Sequence, residues 1–145
     1  MIALLQRVNW AQVRIQGQVS AKIEKGLLVL LGVEREDTEE KADKLLHKML
    51  NYRVFADDQG RMNLSLLDIN GQLLLVSQFT LAATTDKGMR PGFSSAMPPE
   101  KAESIYEYML SKARQSPLTI EAGSFGADMK VALENDGPVT FSLRV

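Results

Sequence analysis

The sequence predicts one α+β domain: a mixed, largely antiparallel sheet curled toward a barrel, with two main helices packed outside. Three observations point there. Apolar residues alternate with polar ones near both ends of the chain. The run Leu27 to Val33 is apolar on both faces, as in a strand covered on both sides. Two segments of helical spacing fall between strand-like stretches, giving the order strands, helix, strands, helix, strands. With 145 residues and no linker, repeat or charge block, residues 1–145 form a single domain.

Taken in order, Ile2 to about Gln16 reads as a long strand, and Gly17-Gln18 turns it into a second one near Val19 to Glu24. Lys25-Gly26 leads into the apolar strand that ends at Val33. Asp37 and Thr38 suit a helix cap, Glu39 and Glu40 favour the positively polarised first turn, and Ala42, Leu45, Leu46, Met49 and Leu50 form its buried stripe. A short strand near Tyr52 to Phe55 precedes the turn Asp57-Asp58-Gln59-Gly60. Asn70-Gly71 is a hairpin signal ahead of the strand Leu73 to Val76. Ala82 to Met97 has little periodicity, and loops this long are usually functional or mobile. Pro98-Pro99-Glu100 opens the second helix, whose stripe is Ala102, Ile105, Tyr106, Met109 and Leu110. Two alternating strands close the chain, one through Met129, Val131 and Leu133, the other from Val139 to Val145. Asn135-Asp136-Gly137-Pro138 is read as the turn between them.

Composition narrows the chemistry. Hydrophobic residues make up 45% and charged residues 24%, as in an ordinary globular protein with a core of its own. No cysteine is present, which removes thiol nucleophiles, thiolate metal sites and disulfides. The only histidine, His47, lies off the apolar stripe of its helix and reads as an exposed residue with no role, and one histidine cannot supply a two-histidine metal site. No metal or cofactor is expected. The net charge of −1 provides no global attraction for nucleic acid, so a polyanion must be held by a local patch. The first residues turn polar too early for a signal peptide, and the longest apolar run is far short of a membrane span. A cytoplasmic, membrane-free protein is expected.

Two short segments stand out. At Ser77-Gln78-Phe79-Thr80-Leu81 a very apolar strand becomes abruptly polar. That is either a strand end solvating its hydroxyls or a set of N–H and O–H donors offered to a developing oxyanion. Asp136-Gly137 alone is an ordinary hairpin signal, but the proline after it is unusual. A cis bond there would turn the Gly137 and Pro138 carbonyls into rigid acceptors.

These two segments resemble the D-aminoacyl-tRNA deacylase family. So do Met1-Ile2-Ala3-Leu4-Leu5-Gln6-Arg7-Val8, Leu27 to Val33, Met62-Asn63-Leu64 and Met89-Arg90-Pro91. The likeness spans nearly the whole chain. Gly92 departs from it, standing where a serine or another small polar residue is expected. The resemblance implies a homodimeric hydrolase that cleaves the ester between a D-amino acid and the terminal adenosine of tRNA. It implies a cis Gly137-Pro138 bond that enters the partner's active site and excludes L side chains, while glycyl-tRNA passes as a second substrate. Arg7 would fix that segment by donating to backbone carbonyls.

Catalysis falls to Ser77, Gln78, Phe79 and Thr80. Thr80 as nucleophile would need a base that the composition does not offer. The alternative is water assisted by the ribose 2′-hydroxyl, with backbone N–H groups near Phe79 and Thr80 holding the carbonyl. Lys87 and Arg90 are the expected phosphate contacts, and Phe125 and Met129 pack either on adenine or in the core. Two other readings remain: a non-catalytic dimer that binds tRNA or nucleotides, and a structural dimer with the Gly-Pro segment as an interface clip.

Overall fold

The computed structural model describes residues 1–145. The long first strand, β1 (Ile2–Ile15), is central, and everything else is arranged on it. A two-residue turn at Gln16 and Gly17, with φ of 50° and 80°, returns the chain as β2 (Gln18–Ile23). Such positive φ values suit the right-handed twist of a two-residue hairpin. β2 pairs with the second half of β1, and β3 (Gly26–Gly32) pairs with its first half, both antiparallel. β6 (Gln72–Ser77) lies parallel to β3, and β7 (Thr119–Ala122) lies parallel to β6. β2 also approaches β6 and β7, so the sheet curls toward closure as expected. β4 (Phe55–Ala56) and β5 (Met62–Leu64) form a separate small hairpin. The helices are α1 (Glu39–Asn51) and α2 (Pro99–Ala113), and they lie against each other on one face of the sheet.

Alternation sorts the apolar residues into two cores. Leu27, Val29 and Leu31 of β3 and Leu73 and Leu75 of β6 face the helices, where Leu45, Met49, Tyr106 and Met109 meet them. Leu28, Leu74 and Val76 face the inside of the curled sheet with Val8, Ala11, Val13, Ala21 and Ile23. This is why β3 carries no polar residue. Each such fully buried leucine contributes about 1.5–3 kcal/mol. On β1 the buried side changes from Ala3 and Leu5 to Ala11 and Val13, across a register shift between Val8 and Trp10.

Four expectations are corrected. The last two strands are a single one, β8 (Lys130–Arg144), antiparallel to β1 along nearly its whole length. Val8 pairs with Asn135 and Gln6 with Thr140, so residues 136–139 arch out of the strand opposite Arg7. The Asp-Gly signal marks this arch, because β1 is long enough to pair with both halves and no reversal is needed. Asn70-Gly71 does not join paired strands either; it ends a turn after β5, with Asn70 at φ 49°. Asp37 leaves the helix cap to Thr38, whose side chain accepts from the Lys41 N–H. The almost fully buried Asp37 carboxylate instead accepts from the Met1 ammonium at 2.8 Å and from Lys41 Nζ at 3.2 Å. Finally, β7 was missed in the sequence, because four half-buried residues carry no clear period.

Candidate active site

β6 stays buried from Leu73 to Val76 and leaves the core at Ser77. The Gln78 N–H extends the pairing by one step, donating to the Leu31 carbonyl at 2.7 Å. A single 3-10 turn, Phe79–Ala82, follows. It packs down on β3 because Gly32 has no side chain: a Cβ there would lie 2.9 Å from the Leu81 Cβ and 3.2 Å from the Gln78 carbonyl oxygen. Thr80 Oγ1 accepts from the Gln78 side-chain amide at 2.7 Å, and no carboxylate or imidazole hydrogen-bonds to it.

Beside this strand end lies a cavity of about 700 Å³, within the usual range for small-molecule sites. Val76, Ser77, Gln78 and Phe79 form one wall. Phe125 to Met129, between β7 and β8, form the second, and the start of α2 with Met97, Pro98, Pro99 and Ala102 forms the third. Two residues shape the second wall. Gly123 makes room for Met129, whose Sδ would lie 2.7 Å from a Cβ at that position. The Tyr106 hydroxyl lies 2.9 Å from the Leu75 carbonyl oxygen and 3.1 Å from that of Gly123, and its ring is 5.8 Å from that of Phe125. Tyr106 thus ties α2 to both neighbouring walls, and burial pushes its phenol well above the usual tyrosine pKa. The only charged lining residues are Arg35 and Asp128.

The arch 136–139 is a separate construction. Arg7 Nε donates to the Asp136 carbonyl at 2.9 Å and lies 3.3 Å from its carboxylate, while Nη1 donates to the Val54 carbonyl at 2.6 Å. From the other side Asn135 Oδ1 accepts from the Val139 N–H at 2.7 Å, and Asn135 Nδ2 donates to Thr140 Oγ1 at 3.0 Å. Gly137 sits at φ 149°, and a Cβ there would lie 2.7 Å from the Val139 nitrogen. That geometry requires glycine. The Gly137-Pro138 peptide is cis, and both residues are exposed.

The structure therefore brings Ser77, Gln78, Phe79, Phe125 and Met129 together around one cavity, with Thr80 one residue beyond its wall. Arg7 meets the arch, but Gly137 and Pro138 do not line the cavity of their own chain. Lys87 and Arg90 are exposed outside it. His47 is exposed on α1 beside Asn51. Nowhere do three or more His, Cys, Asp or Glu side chains converge as metal ligands would. Sequence reasoning missed Arg35, Phe93, Asn135 and Asp128. The available signals were the double proline that starts α2 at the cavity and the side-chain amide four residues before Val139.

A largely apolar cavity beside a polar strand end, on a two-helix curled sheet, defines a domain built to bind a ligand. The family model described as D-Tyr-tRNA(Tyr) deacylase matches residues 4–144. D-aminoacyl-tRNA deacylases of Pseudoalteromonas translucida (strain TAC 125) and Stutzerimonas stutzeri (strain A1501) are 60% and 59% identical to the chain. The alignments cover 100% and 99% of it and equal shares of those proteins. The solved structure of a c-Myc DNA unwinding element binding protein superposes with a TM-score of 0.96 at 42% identity, covering 100% of this chain and 99% of that one. That of a probable eukaryotic D-amino acid tRNA deacylase shares the fold, with a TM-score of 0.82 at 14% identity over 98% of both chains. The chain belongs to the D-Tyr-tRNA(Tyr) deacylase family and is an enzyme of the deacylase class. No helix in it is long and apolar enough to cross a membrane.

Proposed function

We propose that the chain hydrolyses the ester joining a D-amino acid, or glycine, to the terminal adenosine of tRNA, so that D-residues are removed before translation uses them. In this reading two copies of the chain build each site, in the cytoplasm where tRNA is charged. The observation that carries it is the division of labour just described. The cavity has donors and apolar walls but nothing that reads handedness. The arch is firmly held yet lies outside the lining of that cavity in its own chain. Placed in the partner's cavity, the Gly137 and Pro138 carbonyls would leave room for hydrogen on the α-carbon and clash with an L side chain.

The adenosine occupies the cavity among Phe125, Met129 and the start of α2. The ester carbonyl meets the first amides of the turn at Phe79 and Thr80, which as helix-start N–H groups have no acceptor within the turn. Water adds to the carbonyl carbon with its proton passing toward the ribose 2′-hydroxyl. The ester C–O bond then breaks, the ribose oxygen regains a proton, and the free amino acid leaves. Thr80 is poorly suited as nucleophile: its one side-chain partner, the Gln78 amide, donates to it and cannot accept its proton. Ser77 and Gln78 hold the strand end in place.

The test is release of D-tyrosine from D-tyrosyl-tRNA, with L-tyrosyl-tRNA and glycyl-tRNA in parallel. Cleavage of the D- and glycyl-esters but not the L-ester is expected. Equal rates on both enantiomers would end the sieve, and tRNA retention without ester loss would favour a non-catalytic binder. A D-tyrosyl-tRNA ending in 2′-deoxyadenosine is expected to react at least about 100-fold more slowly, the usual scale for losing a proton-transfer group.

A further inference from the structure

Phe79 and Phe93 form a pair of aromatic rings at the cavity mouth, with centroids 5.0 Å apart and planes tilted by 58°. Both line the cavity, yet Phe79 is 58% exposed and Phe93 40% exposed. Single exposed apolar side chains are common, but two in contact with each other at the cavity form a surface with no further partner in the chain. The backbone that carries Phe93 is well fixed. Thr84 and Gly92 exchange hydrogen bonds of 2.8 and 3.0 Å just before it, and Ser95 and Met97 are bonded to Arg35 and Val33 just after it. The excursion closed by Thr84 and Gly92 carries Lys87 and Arg90 against one acid, Asp86, with Met89 fully exposed. Arg35 is the one cation of the cavity lining itself.

We infer that Phe79 and Phe93 are a stacking shelf for the unpaired nucleobase next to the terminal adenosine, with Lys87 and Arg90 beside the phosphates that follow. This rests on the function proposed above. If the adenosine and its ester fill the cavity, the strand must leave through the mouth, and its next base arrives beside these two rings. Unpaired bases are held by stacking on aromatic faces, and phosphates by flexible cations around them. The shelf gives a net-acidic protein a way to grip RNA at one point without a basic face.

The experiment compares Phe93→Ala with the parent protein on D-tyrosyl-tRNA and on the minimal substrate 3′-O-D-tyrosyl-adenosine, which lacks the second base. The ratio of kcat/KM on tRNA to that on the nucleoside is expected to fall about tenfold, through KM, as for loss of one base–aromatic stack. Phe93→Tyr restores the ratio, and D-alanyl-tRNA shows the same loss. Equal losses on both substrates would overturn the shelf. So would a loss confined to the tyrosyl ester, which would place the rings against the amino acid. A changed oligomeric state in Phe93→Ala would also overturn it, by making the pair an interface between copies. If the parent protein cleaves neither substrate, the functional reading itself fails, an outcome distinct from these three.

Discussion

The strand end at Ser77–Thr80 and the arch at 136–139 solve opposite problems. The strand end opens a cavity and leaves its side chains lightly tied: Gln78 bonds Thr80, and Phe79 is half-exposed at the cavity beside Phe93. The arch opens nothing and is tied from every side, by Arg7, Asn135 and the conformation of Gly137. Under the proposed function, such a firmly held, exposed backbone feature acts on a substrate bound in another copy of the chain. A wedge that excludes by shape needs stiffness, whereas a pocket that must accept many side chains needs room.

Breaking the arch should have the largest effect. Gly137→Ala places a Cβ 2.6 Å from the Val139 Cγ2 and 2.7 Å from its nitrogen, at a φ that L-residues rarely adopt. The arch must shift, and displacement of a positioning group by about 1 Å costs on the order of 100-fold. The rate on D-tyrosyl-tRNA, or its ratio to the L-ester, is therefore expected to change by about that factor while the thermal unfolding of the fold is retained. Unchanged kinetics would show that the arch is only a surface feature.

Arg7→Leu attacks the same element from below. The guanidinium is largely buried and serves two carbonyls, Asp136 and Val54. Bonds of this charged type contribute about 1.5–3 kcal/mol each at most. A fall of about tenfold in D-over-L discrimination is expected together with a lower Tm. A lower Tm with intact discrimination would reduce Arg7 to a structural role.

Thr80→Ala probes the other region and should do much less. One neutral hydrogen bond, about 0.5–1.5 kcal/mol, is lost with Gln78, which caps the expected slowing at about tenfold. Single-turnover kinetics with saturating enzyme would check it. Abolished chemistry with intact tRNA binding would restore threonine as the attacking group.

The contrast also explains what was legible beforehand. Alternation and apolar runs revealed the sheet, the two helices and the polar exit at Ser77, because each reflects burial over several successive residues. The arch was misread as a hairpin turn. Asp-Gly chemistry describes four residues, whereas the choice between reversal and excursion depends on whether β1, more than a hundred residues earlier, is long enough to pair on both sides. Residues that reach the cavity from a distance, such as Arg35 and Phe93, carried no local signal at all. Asn135 becomes intelligible only once the arch is in place, whereas the family resemblance already pointed Arg7 at the carbonyls of that segment.

Tyr106→Phe should separate the two regions by the smallest margin. It removes the hydroxyl between the Leu75 and Gly123 carbonyls, loosening the cavity wall near Phe125 and leaving the arch untouched. KM is expected to rise a few-fold with discrimination unchanged, and stability near neutral pH to fall by about 0.5–1.5 kcal/mol, the scale of one neutral hydrogen bond, because the Leu75 carbonyl keeps the Gly123 N–H as a donor. The pH profile supplies an independent check. The folded phenol ionises at higher pH than the unfolded one, so the protonated hydroxyl's contribution is complete below about pH 10 and is lost as pH rises from there through the folded pKa. Urea midpoints of the parent protein should therefore decline above about pH 10, and those of Tyr106→Phe should decline less steeply. Parallel profiles would mean that other groups set the alkaline limit and that the tyrosine hydroxyl does not clamp the wall.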